Sequence, residues 1–419
     1  MVKGISYPIA VYRPLRSKVE IERVDAYDLS NPLIGRDTEF EALKACVGDL
    51  QEGRGGIVTL TGERGMGKSL LVREVRNYFV RQEALLTQAR DRESQPSDVP
   101  VPSGSSTIWQ RSLRGRCRSY DQAHPYAMWS DLLSNWLGVR EDEQKEETLD
   151  RLRRQAQALW GARMMEYYPH LATFLSLPLE APLAEQIRQL DAEGRRQQFF
   201  LAIREWVEAL TRKGPLIINF SDMHWADTTS LDLLKYCLPL CDYVPLLWLF
   251  VFRPERESPV WKLRYYLETE YPHRLTMLAM RPLNRTQSKH FIAHLVGSDV
   301  LPPETQDLII DKAEGNPYYI QELMRSLIVQ GILVRKNADE GCVDECGWQM
   351  VKAVTSLNLP DSLQTLLLAR IDRLSPQEHQ MLQTAAVIGT VFWSNVLQAL
   401  ISEDIPLQKY LTTLMRAQL

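Results

Sequence analysis

The chain has 419 residues, of which 45% are hydrophobic and 24% charged. That is room for two or three domains of about 150 residues each, and the composition excludes a disordered or fibrous chain. Its 49 basic and 53 acidic side chains leave a net charge of −4, which excludes a globally basic nucleic-acid-binding surface but not a local one. The longest apolar run, residues 243–252, falls far short of the roughly 20 residues a membrane helix requires. Lys3, Arg13, Arg16 and Lys18 are followed by no apolar segment, so no signal peptide and no membrane are expected.

Six cysteines do not make a disulfide scaffold, and a cytoplasmic location is expected. Cys237 and Cys241 are four apart, as are Cys342 and Cys346. Neither pair has the two-residue spacing of a zinc knuckle, so buried or idle thiols are favoured over a metal site.

In chain order, residues 1–30 are polar and irregular, with Pro8 and Pro14 breaking any long element. Asn31-Pro32 marks a turn. Asp37 is placed to cap a helix to about Leu50 with Phe40, Leu43, Val47 and Leu50 on one face. Gly55-Gly56 precede a short buried strand, Ile57 to Thr61. A Gly-rich turn and a helix through Leu70, Leu71, Val75 and Phe79 follow. Residues 82–107 have the composition of a mobile loop.

A second strand is expected from Trp109 to Cys117, then helical spacing over about 125–212. Leu216 to Phe220 and Leu246 to Phe252 read as further strands of the buried, parallel kind, and Leu275 to Met280 is a candidate fifth strand. After Pro282, helices are expected over about 284–297, 303–313 and 317–330. A hairpin with arms Ile332 to Arg335 and Trp348 to Val351 comes next, and further helices begin near Pro360 and Pro376. No internal repeat is visible. The alternation predicts an α/β domain with a parallel sheet, then a helical region.

The strongest signal is Gly62-Glu63-Arg64-Gly65-Met66-Gly67-Lys68-Ser69, which fits G-x-x-x-x-G-K-[ST] between a strand and a helix. Three glycines let backbone N–H groups curl around phosphate oxygens, and the helix N-terminus adds positive field there. Lys68 would reach the β- and γ-phosphates and Ser69 would ligate Mg²⁺. A P-loop NTPase also needs an acid at the end of a neighbouring strand. Asp222 is the candidate, for catalysis and metal, whereas Asp227 reads as the N-cap of the following helix. His224 and Trp225 read as packing or positioning residues. Arg253, leaving the fourth strand, is either a γ-phosphate sensor, since guanidinium pairs with phosphate bidentately, or an exposed loop arginine.

These segments in this order resemble the STAND branch of AAA-like P-loop ATPases, as attached to bacterial class III nucleotide cyclases and large helix-turn-helix regulators. The resemblance spans about residues 31–419. Asn31-Pro-Leu-Ile-Gly35-Arg36 resembles the entry motif beside the adenine. Leu113 to Cys117 and Pro125-Tyr126 match the second strand and its helix. Pro215 to Asp227 resembles the Walker B strand with its His-Trp-Ala-Asp tail, and Arg253-Pro-Glu resembles the sensor. Gly315-Asn316-Pro317 resembles the lid motif whose proline touches the nucleotide. Leu359 to Leu374 and Ala385 to Gly389 resemble the opening of a winged-helix region.

The resemblance implies a P-loop NTPase fold over residues 31–282, a helical lid with hairpin over 283–355 and a truncated winged-helix region over 356–419. It implies an ATP-binding, slowly hydrolysing switch with ATP or ADP and Mg²⁺ as cofactors, and at most an ATPase as enzyme. Ser221 stands where the family's strand usually carries the first of two acids. A serine hydroxyl lacks the charge of a carboxylate ligand, so either Asp222 compensates or ATP is bound with very slow turnover, as in a nucleotide-held scaffold.

Val2-Lys3-Gly4 and Pro8 to Tyr12 resemble the last strand of a class III cyclase domain, which implies that residues 1–30 are a linker and that the chain is a fragment of a longer protein or a shortened gene product. A fused or neighbouring cyclase, C-terminal helical repeats and a homo-oligomer are the implied partners. None of the cyclase's metal-binding core is present, so no cyclic nucleotide synthesis is expected.

The alternatives are a DNA-binding regulator acting through Arg370, Arg373 and Lys409, disfavoured by the modest local charge, and a phosphotransferase resting on the P-loop alone. His290 and His294, one helical turn apart, read as a helix surface rather than a metal pair, with no third ligand evident. Trp129, Trp136, Trp160 and Trp206 read as core packing.

Overall fold

A computed structural model describes residues 33–93, 111–118, 124–139, 143–298, 300–335, 348–351, 371–372 and 374–388, with scattered positions (368, 397–398, 400, 407, 410–411, 414). Its centre is a five-stranded parallel sheet of β1 (Gly56–Thr61), β2 (Ser112–Arg116), β3 (Leu216–Ser221), β4 (Leu246–Phe252) and β5 (Leu275–Ala279), in the order β2-β3-β4-β1-β5. Parallel neighbours require crossovers, and the intervening helices supply them.

β4 shows why the apolar runs read as central strands. Leu246, Trp248, Phe250 and Phe252 enter one core, while Leu247, Leu249 and Val251 enter another on the opposite face. With both faces covered, the polar alternation of a half-exposed strand disappears. The smaller core packs Val58 and Leu60 under α1 (Asp37–Gln51) and α2 (Lys68–Glu93) through Leu43, Val47, Leu50, Leu71, Val75 and Phe79.

The larger core lies on the other face, under α3 (Ala127–Leu137), α4 (Lys145–Trp160), α5 (Met164–Phe174), α6 (Ala181–Gln189) and α7 (Ala192–Thr211). It also holds α8 (Thr228–Cys237) and α9 (Pro259–Glu270). Trp129 packs edge-on to Phe220 and to Trp248 with centroids 5.1 and 6.2 Å apart, and donates from Nε1 to Ser230 O at 3.0 Å. Trp136 meets Trp206 at 5.2 Å, and Trp160 is buried in the same cluster. The thiols of Cys237 and Cys241 are free and buried there, with the Cys241 pKa pushed up to about 12 by desolvation.

The lid consists of α10 (Arg285–Val296), α11 (Pro303–Ala313), α12 (Pro317–Val329) and an antiparallel hairpin of β6 (Leu333–Arg335) and β7 (Trp348–Met350) around its own apolar cluster. His290 and His294 are exposed on α10. Beyond the hairpin, α13 (Pro376–Ile388) contributes Met381 and Ala385 to a small separate cluster.

Two expectations are corrected. Asp37 is the first residue of α1 rather than its cap; Arg36 holds the cap position and no side chain caps the helix. The helix after the P-loop does not stop near Phe79 but runs to Glu93, so 82–93 is not loop. Glu83 on that extension is buried and pairs with Arg111 at 2.6 Å, a tertiary contact that composition does not reveal. Residues 1–32 and the remaining 94–107, Cys342, Cys346, the segments at Asn31-Pro32 and Pro360, and Arg370, Arg373 and Lys409 lie outside the described residues.

Candidate functional site: a phosphate loop closed by a lid

The P-loop connects β1 to α2. Gly65 sits at φ +85, where a side chain is strained, and an added Cβ would lie 2.5 Å from Asn316 Oδ1. The loop is therefore tight on its outer side because the lid rests on it. Asn316 Nδ2 donates to Arg64 O at 3.0 Å and Tyr318 N donates to Gly65 O at 3.3 Å. The same Asn316 caps α12, its Oδ1 accepting from Tyr318 N and Tyr319 N, so one residue both starts the lid helix and grips the P-loop.

A cavity of about 560 Å³ lies between them. Arg36, Arg64, Gly65, Met66, Gly67, Lys68 and Ser69 line it from the entry segment and the P-loop. Asp222, Arg253 and Pro317 line it from the ends of β3 and β4 and from α12. Gly62 and Glu63 do not; they present backbone carbonyls to Lys68 Nζ at 2.6 and 2.7 Å. Gly35 lies at φ +66 against Gln287, which donates from Nε2 to Gly35 O at 3.2 Å.

Arg36, only 4% exposed, spends its guanidinium on Arg281 O (2.7 Å) and Met66 O (3.2 Å). It acts as a strut between the entry segment, the P-loop and the segment that follows β5.

Burial first, and the Arg253 cation second, lower the Lys68 amine to about 8, against the opposing pull of Asp222 and Glu63. A bound phosphate would favour the charged amine and raise that value. Anion affinity should therefore be constant below pH 8 and fall above it by up to roughly tenfold per pH unit. At pH 8 ATP binding should be accompanied by uptake of a fraction of a proton. Calorimetry in buffers of different ionisation enthalpy reads this directly; no uptake at pH 8 would contradict the assignment.

Asp222 occupies the left-handed region at φ +58 and opens the single turn Met223–Trp225. Its Oδ2 accepts from Arg116 Nε at 3.2 Å. That pair is substantially exposed (47% and 37%), so it holds Asp222 weakly and is screened by salt. Arg116 was not singled out from the sequence. The parallel register sets it opposite Ser221, and nothing local in Leu113 to Cys117 predicts that pairing.

Ser221 does not line the phosphate cavity. It faces a second cavity of about 540 Å³ beneath α2, with Oγ 3.5 Å from Gly115 O. His224 is buried with neither ring nitrogen partnered, its pKa held below the usual range by desolvation and then by Arg253. Asp227 is the N-cap of α8, accepting from Ser230 N at 2.7 Å, and it also accepts from Tyr126 N at 3.2 Å. The His-Trp-Ala-Asp tail is thereby tied to the start of α3.

These residues suit a nucleotide, with a glycine-lined cradle, a lysine and an arginine on its wall. Mg²⁺ is usually held by one or two protein oxygens together with phosphates and waters, and Ser69 and Asp222 on one wall meet that need. Arg118 and Phe291 on the wall lie outside the sequence expectations, and Tyr318 and Gln321, which belong to the segment after Pro317 that matches the lid motif, had no individual role there. Among the described residues no helix is long and apolar enough to cross a membrane, and no three His, Cys, Asp or Glu side chains gather into a metal site.

An uncharacterized protein of Rhizobium meliloti strain 1021 is 25% identical over 334 residues, covering 77% of this chain. This chain spans only 28% of that relative's length. Among solved structures, a STAND protein with a tetratricopeptide repeat sensor from Pyrococcus horikoshii aligns at TM-score 0.41 and 11% identity, over 94% of this chain and 40% of that one. The Aeropyrum pernix ORC2 protein aligns at 0.40 and 12% (94% and 89%), and Drosophila ORC bound to DNA at 0.39 and 15% (92% and 77%). Residues 32–249, more than half of the chain, match the AAA ATPase domain family. With the phosphate loop, the parallel sheet and the lid in place, the chain belongs to that family and is a nucleotide-binding ATPase module.

Proposed function

We propose that the chain is a regulatory switch of the STAND type, in which ATP or ADP sits between the sheet domain and the lid and sets their arrangement. The observation that carries this reading is the direct grip of Asn316 and Tyr318 on the carbonyls of Arg64 and Gly65. A nucleotide in the cavity meets the P-loop and the lid at once, so its phosphates act on the contact between them. A ligand shifts such an arrangement only by its differential affinity for the two states.

In this reading the P-loop amides of Arg64 to Ser69 surround the phosphates and Lys68 neutralises them. Arg253 senses the terminal phosphate, and Pro317 with Gly35 and Arg36 shapes the base end. Mg²⁺ held by Ser69 and Asp222 would neutralise developing charge on the phosphates. Asp222 must leave or share its Arg116 contact to orient water near the γ-phosphate.

The proposed modules are residues 31–282, 283–355 and 356–419, after a 1–30 linker. In a longer protein a nucleotide cyclase and helical repeats would be the output and input, and self-association a further partner contact.

The test is ATP turnover with Mg²⁺ beside ATP binding, in the unaltered chain and in Asp222→Asn. Measurable turnover that falls at least about a hundredfold in the variant, with binding within about threefold, supports a working switch with Asp222 at the chemistry. Binding without turnover in both proteins would mean a nucleotide-held scaffold, with Ser221 as the cause. Equal loss of binding in the variant would overturn the role given to Asp222.

A further inference from the structure

Gln321 lies on α12, one helical turn after Pro317 and on the same face. It is 3% exposed and lines the phosphate cavity, yet its Nε2 has no hydrogen-bond partner. A buried amide donor without an acceptor is costly, and folded proteins retain few of them. Ser288 Oγ, near the start of α10, is a second buried polar atom of the lid without a partner. Asn316 bonds the P-loop and the helix N-terminus, and Asn284 with Gln287 forms a reciprocal cap at the start of α10. Among the described residues several buried polar atoms lack a partner; Gln321 Nε2 is the one that the lid brings to the wall of the phosphate cavity.

Its surroundings say what kind of acceptor fits. Apart from Arg36, the charged wall residues Arg64, Lys68, Arg116, Arg118, Asp222 and Arg253 come from the P-loop and from the ends of β2, β3 and β4. The wall contributed by the entry segment and lid sets Leu33, Ile34, Phe291 and Pro317 beside Tyr318 and Arg36, whose guanidinium is engaged with backbone carbonyls. Ile34 packs against the lid cluster that contains Phe291. An apolar slot with a single unpaired amide suits a flat heteroaromatic ring, which has two apolar faces and a polar edge. Phosphate or a bare sugar would leave the apolar walls unused.

We infer that Gln321 reads the base of the bound nucleotide, its carboxamide donating from Nε2 to a ring nitrogen of a purine. Adenine presents an amine donor beside an acceptor nitrogen, which matches the donor–acceptor pair of a carboxamide. Guanine's O6/N7 edge presents two acceptors and satisfies only half of it. Because Gln321 is carried by the lid, base recognition draws the lid onto the nucleotide from the side opposite the P-loop. This inference rests on the nucleotide reading of the cavity.

The experiment measures displacement of a fluorescent ATP analogue, with Mg²⁺, by ATP and by ribose 5-triphosphate, which keeps the sugar and phosphates but lacks the base. It compares the unaltered chain with Gln321→Leu and Gln321→Met. ATP affinity should fall roughly tenfold or more in both variants, from loss of the bond and an unpaired buried acceptor. Ribose 5-triphosphate affinity should stay the same, which also reports that the variants remain folded. Unchanged ATP affinity, or an equal fall for both compounds, would overturn base reading by Gln321 and leave the nucleotide site standing. Failure of the unaltered chain to bind either compound would instead overturn the nucleotide reading itself.

Discussion

Lys68→Ala will lose ATP binding while keeping, or slightly raising, the stability of the free protein. The side chain's bonds in the free protein are to two carbonyls of its own loop, Gly62 O and Glu63 O, and its amine is held down at about 8 chiefly by burial. A base whose folded pKa lies below its unfolded value carries a penalty in the charged form. That penalty is fully present at pH 7 and disappears as pH rises through the ordinary 10.5. Removing the amine removes the penalty and two bonds of its own loop. In the bound state the same amine makes charge-assisted contacts of about 1.5–3 kcal/mol each to phosphate oxygens. Two of them are worth at least about a hundredfold in affinity. Titration calorimetry with thermal denaturation of both proteins separates the effects. A variant that binds ATP normally, or that fails to bind because it has unfolded, would contradict the prediction.

Gly315→Ala is expected to have the largest effect on stability. Gly315 lies at φ +72, and a Cβ there would run into the backbone carbonyl of Leu283. That carbonyl cannot readily yield, because Leu283 N donates back to Gly315 O at 2.8 Å. Backbone strain and the clash together should cost about 2–4 kcal/mol. The damage should centre on the junction between α11 and α12, where Asn316 and Tyr318 follow directly. Thermal denaturation should show a drop of several degrees, and amides of 316–323 should exchange faster with solvent. An unchanged melting curve would show that the junction can relax, and the tight contact would lose its significance.

Both predictions concern residues that stood out in the sequence, for different reasons. The P-loop was legible because a phosphate cradle needs glycines, a lysine and a hydroxyl at fixed short spacing between a strand and a helix, and every part is local. The central strands β1, β3 and β4 were legible because burial on both faces makes them largely apolar runs, whereas the edge strands β2 and β5 are only partly buried. Asp227 announced itself as a cap through the threonines and serine that follow it, and it does cap α8. Gly315-Asn316-Pro317 marked the start of α12 by the same local chemistry of turn, cap and fixed φ.

The chain order of residues does not say which strand ends lie side by side. The order β2-β3-β4-β1-β5 sets Arg116 beside Ser221 and Asp222, more than a hundred residues away. That contact makes Asp222 a shared group rather than a free carboxylate. Ser221 lines the neighbouring cavity beneath α2, which shares Ser69, Arg116 and Asp222 with the phosphate cavity. Glu83 looked like part of a polar loop and is a buried partner of Arg111, because long-range packing overrides composition. Gln321 is one polar position on an amphipathic helix. Only its burial, its missing partner and the apolar walls brought to it by Leu33, Ile34 and Phe291 mark it out. The phosphate loop, the strand-and-helix class and the caps Asp227 and Asn316 were legible from residues within one or two turns of each other, whereas the Asp37 cap was not realised. The tertiary structure decided which distant groups share the cavity, because parallel pairing and lid closure join segments whose separation carries no local trace.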